Sequence, residues 1–273
     1  MDARLQRRIQ RYGWDLAAPR YEALWQAQFA EVQACLLAAA ALAPGDQVLD
    51  VACGTGYTAL EAARAVGARG RVLGVDLSGA MVDVARQRAG VLALPCVAFE
   101  RMDAEQLALP DAGFDAVLCA LGLMYMPDPV CALREMRRML RPGGRLVLAV
   151  WGERARCGWA TLFELVDAEV ASEVCPYFFG LGQPGALARA CTDAQLHAVS
   201  QRRIDTALVY SSADDACEAA FAGGPVALAW SRFDEAVRAR VRTGYVASLA
   251  PWRHGAGYRV PGEFVVVAAQ VPG

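Results

Sequence analysis

Val48-Leu49-Asp50-Val51-Ala52-Cys53-Gly54-Thr55-Gly56 is an apolar run that closes on an acid and breaks into two glycines one residue apart. Gln47 to Ala52 reads as a first strand, and the glycines after it allow a tight turn and close approach of a ligand to the backbone. Working outward, helical and β-branched patterns alternate: a helix from Tyr57 to Val66, a strand from Arg71 to Val75, a helix near Ala80 to Ala89, a strand near Cys96 to Glu100, and a strand from Phe114 to Ala120. Pro129 suits the first turn of a helix ending near Leu140, and Arg141-Pro142-Gly143-Gly144 stops it before a strand from Arg145 to Trp151. Five strands alternating with helices predict a doubly wound, mostly parallel α/β sheet.

Beyond Trp151 the pattern loosens. Cys175-Pro176-Tyr177-Phe178-Phe179-Gly180 is aromatic, and Gly182-Gln183-Pro184-Gly185 reads as a loop. Arg203 to Tyr210 and Glu263 to Ala269 read as a sixth and a last strand, with helical patterns near Asp214 to Phe221 and Phe233 to Leu249 between them. Residues 1–44 look helical and carry Tyr12, Trp14, Tyr21 and Trp25. At 273 residues the chain fits one large domain. We divide it into an N-terminal helical lid (1–44), an α/β core (45–152) and a C-terminal part of the same fold with a substrate-binding helical insertion (153–273).

Composition narrows the function. The hydrophobic fraction of 56% supports a sizeable core, and no uninterrupted apolar run is long enough to span a membrane. The charged N-terminus lacks the apolar stretch of a secretory signal, and nine scattered cysteines without a Cys-x-x-Cys pair indicate neither a disulfide framework nor a zinc site. A cytoplasmic location is the expectation, and no metal is expected. A net charge of −2 argues against sequence-independent binding to nucleic acid, as does the lack of an Asn/Asp-Pro-Pro-aromatic site for a flipped base.

In open parallel sheets ligands bind beyond the carboxyl ends of the strands, where the strand order reverses. Asp50 ends the first strand there, Asp76 ends the second, and Asp103 follows the third. Gly54-Thr55-Gly56-Tyr57-Thr58-Ala59 satisfies a dinucleotide fingerprint, and Asp76 stands where an acid accepts hydrogen bonds from a ribose diol. Asp50, however, would repel a pyrophosphate at short range. S-adenosylmethionine carries an ammonium and a sulfonium instead, so the same carboxylate attracts it, directly or through water. A nicotinamide-dependent dehydrogenase and a catalytically silent cofactor-binding module are the alternatives, separated by cofactor binding and by turnover.

Four motifs resemble the class I S-adenosylmethionine-dependent methyltransferases, and among them the branch of ubiquinone and menaquinone biosynthesis. They are the opening run; Gly74-Val75-Asp76-Leu77-Ser78 followed by Met81; Asp103-Ala104-Glu105-Gln106-Leu107 before Pro110; and Leu140-Arg141-Pro142-Gly143-Gly144-Arg145-Leu146. The resemblance implies a Rossmann-like sheet of seven strands with the last antiparallel. It implies that Gly54 and Gly56, with Asp50, Ala52 and Thr55 beside them, flank the methionine portion of S-adenosylmethionine. Asp76 would hold the ribose, Leu77 and Met81 would pack on the adenine, and Asp103 with Ala104 would meet its amino group. Cys119 and Ala120 would lie under the cofactor.

Each assignment has a plainer counterpart. Asp50 could cap the following turn, Asp76 could cap a helix with Ser78, and Asp103 could be a loop acid. Tyr12, Trp14, Tyr21 and Trp25 are candidates for substrate or lid contact, against simple helix packing. Met124 and Tyr125 stand where the resembling family often has histidines, and they are candidates for the substrate wall. Tyr125 and His254 are the candidate bases for an acceptor that must lose a proton. His197 falls in a polar, helical-looking stretch and is expected at the surface. The acceptor is expected to be a small molecule attacked through nitrogen, oxygen, sulfur or carbon.

Overall fold

The computed structural model describes residues 2–171, 175 and 177–271, and Pro176 of the aromatic run lies outside the described residues. The chain opens with α1 (Ala3–Ala40), a single long helix, followed by β1 (Gln47–Val51), α2 (Tyr57–Val66), β2 (Arg71–Asp76), α3 (Gly79–Val91), β3 (Val97–Arg101) and β4 (Phe114–Ala120). Then come α4 (Pro129–Met139), β5 (Leu140–Trp151), α5 (Thr161–Asp167), α6 (Ala186–Asp193) and β6 (His197–Tyr210). The last elements are α7 (Ala213–Phe221), α8 (Ala227–Arg232), α9 (Glu235–Ser248), β7 (Arg253–His254) and β8 (Gly257–Gln270).

Local chemistry explains the boundaries. Ser78 caps α3 by accepting from the Met81 amide at 3.1 Å. Asp128 caps α4 by accepting from the Cys131 amide at 2.9 Å, with Pro129 in the first turn. Val48 and Leu49 are fully buried because β1 is sandwiched in the sheet, pairing in parallel with β2 on one side and β4 on the other.

The strand order is β3-β2-β1-β4-β5-β8-β6. The chain winds one way through β1, β2 and β3 and the other way through β4 and β5, so the order reverses between β1 and β4 and a crevice opens at their carboxyl ends. β8 runs antiparallel to both β5 and β6. The seven-strand expectation needs one addition, because β7 pairs with β8 as an eighth, two-residue strand. The Arg141–Gly144 stop is also revised. Leu140 already pairs with Phe114 and the next partner pair is Ala116 with Arg145, so the Pro-Gly-Gly segment bulges out of a strand that has begun. His197 is exposed as expected but opens β6 and is not helical.

The second half of α1 belongs to the core. Trp25, Phe29, Val32, Leu36 and Ala40 are buried, and Trp25 stacks on Phe29 with ring centroids 5.0 Å apart.

Candidate active site

Both strand ends at the reversal point turn through left-handed backbone. Ala52 has φ +57° after β1 and Leu121 has φ +61° after β4, a conformation costing a side-chain-bearing residue about 1 kcal/mol or more. The two ends can meet because Gly122 lacks a Cβ, which would stand 2.3 Å from Ala52 Cβ. Ala52, Gly54 (φ +54°), Leu121 and Gly122 thereby present backbone to one cavity.

Asp76 stands beside that loop, with Oδ2 accepting from the Gly54 amide at 2.9 Å and Oδ1 from the Ser78 amide at 2.8 Å. Burial pushes its pKa up, opposed by those two amides. Its cap-like bond to Ser78 and its place on the cavity wall coexist, since each carboxylate oxygen keeps a further lone pair. Leu77, Met81, Met102 and Ala104 form an apolar slot next to it. Asp103 closes that end, accepting from the Glu105 amide at 3.0 Å and pairing with Arg7 Nε at 3.0 Å. Arg7 also pairs with the buried Glu105.

Asp50 differs from its expected place. It is fully buried, lies behind the loop and not on the cavity wall, and neither carboxylate oxygen has a hydrogen-bond partner among the described residues. Burial, opposed by the nearby Ala59 amide and helped by Asp76, pushes its pKa up to about 8, so at neutral pH it holds its proton in the ligand-free protein.

The far end of the cavity is aromatic. Trp14 meets Tyr21 at 5.7 Å and Tyr125 at 5.1 Å, both edge-on, and Tyr125 meets Phe178 at 5.4 Å. Burial holds the Tyr21 and Tyr125 phenols above their ordinary range, which makes them hydrogen-bond donors at neutral pH and poor bases. Trp151 and Trp159 complete the wall, with the buried Trp159 indole N–H unpartnered among the described residues.

Helix α1 roofs this cavity and is buckled to it by polar contacts. Asp15 accepts from Ser78 Oγ at 2.6 Å. Glu22 accepts from Thr55 Oγ1 at 2.7 Å and from Arg88 at 2.8 Å. Arg7 makes the third attachment, to Asp103 and Glu105.

Of the sequence candidates, Ala52, Gly54, Asp76, Leu77, Met81, Asp103, Ala104 and Ala120 line the cavity together with Trp14, Tyr21, Trp25 and Tyr125. The others do not. Thr55 spends its hydroxyl on Glu22. Gly56 is a packing glycine, for a Cβ there would stand 2.9 Å from both Ala85 Cβ and Phe99 Cζ. Cys119 is fully buried inside β4, where burial pushes its thiol up to about 12, and Met124 is core. Tyr12 points outward under the Arg11 guanidinium, 4.4 Å from its ring centroid. His254 is exposed on β7 and away from the cavity, which removes it as a base. Trp151, Trp159 and Tyr245 escaped the sequence analysis. Only Trp151 carried a signal there, as the last residue of a parallel strand at the carboxyl edge.

Residues 48–144 match the family model described as "Methyltransferase domain". The 2-phytyl-1,4-naphtoquinone methyltransferase of Synechococcus elongatus is 43% identical over 106 residues, which are 38% of this chain and 46% of that protein. The demethylmenaquinone methyltransferase of Deinococcus radiodurans is 41% identical over 128 residues, 47% of this chain and 52% of that one. The chain thus spans about half the length of the curated relatives it matches. The solved geranyl diphosphate C-methyltransferase from Streptomyces coelicolor is similar in fold, with a TM-score of 0.56 at 19% identity over 93% of this chain and 83% of that one. The matched residues 48–144 thus resemble a methyltransferase domain and lie within a Rossmann-like α/β sheet.

Proposed function

We propose that this protein transfers a methyl group from S-adenosylmethionine to a small-molecule acceptor. The carrying observation is the charge around the glycine loop. Asp76, Asp103 and Glu105 line it, with the protonated Asp50 behind the loop, and Arg7, the one arginine on the cavity wall among the described residues, is engaged by two of the three carboxylates. A pyrophosphate would meet repulsion in that setting, whereas a ligand with an ammonium and a sulfonium is attracted.

The residues fit such a ligand. Asp76 has lone pairs left for a ribose diol, the Leu77, Met81 and Met102 slot takes a flat base, and Asp103 accepts from an amino group at its rim. Gly54, open to the cavity apart from Tyr21 Cε1 at 4.0 Å from its Cβ position, lets the amino-acid portion lie on the backbone. When bound, S-adenosylmethionine supplies an electrophilic methyl, and S-adenosylhomocysteine is what remains.

The chain's own residues bind, orient and keep water out. Trp14, Tyr125, Trp159 and Phe178 form an apolar chamber that aligns an acceptor and raises the effective concentration of the reacting pair. Tyr125 donates a hydrogen bond to an acceptor oxygen in this scheme. The division into a covering helix (1–44), a cofactor-binding core (45–152) and a C-terminal substrate part (153–273) belongs to the same proposal. So does action in the cytoplasm on a small molecule and not on nucleic acid. Among the described residues no helix is long and apolar enough to cross a membrane.

Thermal melts with S-adenosylhomocysteine and with NAD test the cofactor. Stabilisation by the first and none by the second is expected, since a ligand that binds the folded state stabilises it by mass action. Stabilisation by NAD alone would overturn it. Turnover of S-adenosylmethionine with any acceptor then separates an enzyme from a silent binding module.

A further inference from the structure

We propose that the outward face of the first half of α1 is a docking surface for an anionic lipid bilayer. The inward face of this helix lines the cavity through Arg7, Gln10, Trp14, Tyr21 and Trp25. On the opposite side Leu5, Ile9, Tyr12, Leu16, Pro19 and Ala23 fall within one arc of about 80° at 100° per residue. Leu5 is 37%, Tyr12 43% and Leu16 49% exposed, three of the few large apolar side chains that the described structure leaves in solvent. An amphipathic helix with apolar residues on both faces has one face still to cover.

Charge identifies what covers it. Residues 3–14 hold four arginines and no acid, and the acids further along the same side of the helix, Asp15 and Glu22, are turned inward to Ser78 and to Thr55 and Arg88, in a chain of net charge −2. Arg7 turns inward to Asp103 and Glu105. Arg4, Arg8 and Arg11 line one flank of the apolar arc, and among the described residues none of the three has an ion pair. Arg11 lies over the Tyr12 ring instead. An apolar stripe edged by unpaired arginines matches the boundary between acyl chains and anionic headgroups, with arginine stems along the apolar surface and heads at the phosphates. A second copy of the chain fits less well, because an antiparallel two-fold pairing of these helices sets arginine edge against arginine edge. A nucleic-acid backbone would engage the cations and leave Leu5, Tyr12 and Leu16 in water. The inference stands on this helix face alone and does not depend on methyl transfer.

The experiment is flotation of the full chain with vesicles of phosphatidylcholine and phosphatidylglycerol in equal parts, against phosphatidylcholine alone. The wild type is expected to float with the anionic vesicles, less so at high salt, and not with the neutral ones. Arg4→Glu/Arg8→Glu and Leu5→Ser/Leu16→Ser are each expected to lose at least about tenfold in binding, the order expected for changes at a charged bilayer surface. All four side chains lie away from the core, so melting temperatures near that of the wild type certify the fold. Three outcomes overturn the proposal. One is no flotation, or flotation that neither variant changes. Another is tighter binding to a DNA duplex than to vesicles, lost on arginine reversal and indifferent to the serines. The third is a dimer in sedimentation that Leu5→Ser/Leu16→Ser dissociates while vesicles bind nothing.

Discussion

Replacing Asp76 by alanine isolates the residue on which cofactor binding turns. In the ligand-free protein its two oxygens accept from the Gly54 and Ser78 amides at 2.9 and 2.8 Å, leaving outward lone pairs for the two hydroxyls of a ribose. A hydrogen bond to a charged group contributes about 1.5–3 kcal/mol, so losing one predicts a fall in affinity of roughly ten- to 150-fold, and losing both about a hundredfold or more. The same change strips two amides of their acceptor. Gly54 keeps access to water through the cavity, so the stability cost is about 1–2 kcal/mol and the melting temperature falls by roughly 2–8 °C for a chain of this size. Calorimetric titration with S-adenosylhomocysteine measures the first number and a thermal melt the second. Asp76→Asn should fall between the two, since its amide nitrogen must face one of two backbone donors. Burial raises the Asp76 pKa, so wild-type affinity should also weaken as the pH falls toward it, and that dependence should vanish in the alanine variant. A folded Asp76→Ala protein with unchanged affinity would refute the assignment of the ribose.

Three further outcomes follow from the packing around the loop. Asp50, pushed from 3.8 in the unfolded chain to about 8, favours folding fully below pH 4 and loses that contribution as pH rises through 8. Asp50→Asn should therefore gain on the wild type in melting temperature from about pH 4 to pH 8 and then level off; parallel curves would contradict the buried acid. Gly56→Ala should cost about 2–4 kcal/mol in urea unfolding, from the left-handed φ of +86° and the 2.9 Å approach to Ala85 and Phe99, whereas Gly143→Ala, open around its Cβ position, should cost about 1 kcal/mol. Deleting residues 1–26 removes the buried Trp25 as well as the roof and should lower the melting temperature by about 10 °C or more, while deleting residues 1–13 should leave the Trp25–Phe29 stack and a smaller loss; equal melts would place α1 outside the core.

The β1 to β5 half of the fold was legible because β1, β2, β4 and β5 pair on both sides and read as largely apolar runs with glycine or proline near their ends, and the edge strand β3 follows from its place in the alternation, with Phe99 its one buried residue. In the other half, β8 and the end of β6 were read as strands, but the opening of β6, residues 197–202, was not, for a physical reason. β6 is the edge of the sheet opposite β3 and pairs with β8 alone, so His197, Gln201 and Arg202 face solvent and carry no alternation that distinguishes strand from helix. The aromatic end of the cavity is a similar case. Trp159 and Tyr245 come from separate segments and reach the cavity only through tertiary packing, so no local spacing announces them, whereas Phe178 stood out in the aromatic run. Asp50 marks a deeper limit. Its residue type and position were plain in the sequence, and the attraction argued for it assumed a carboxylate. Charge state, however, belongs to the folded environment: behind the loop, with both oxygens unpartnered, the acid holds its proton at neutral pH. A cation settling over Gly54 would lower that pKa, so Asp50 becomes an attractive charge only as the ligand arrives, and cofactor binding near pH 7 should release a proton that Asp50→Asn does not release.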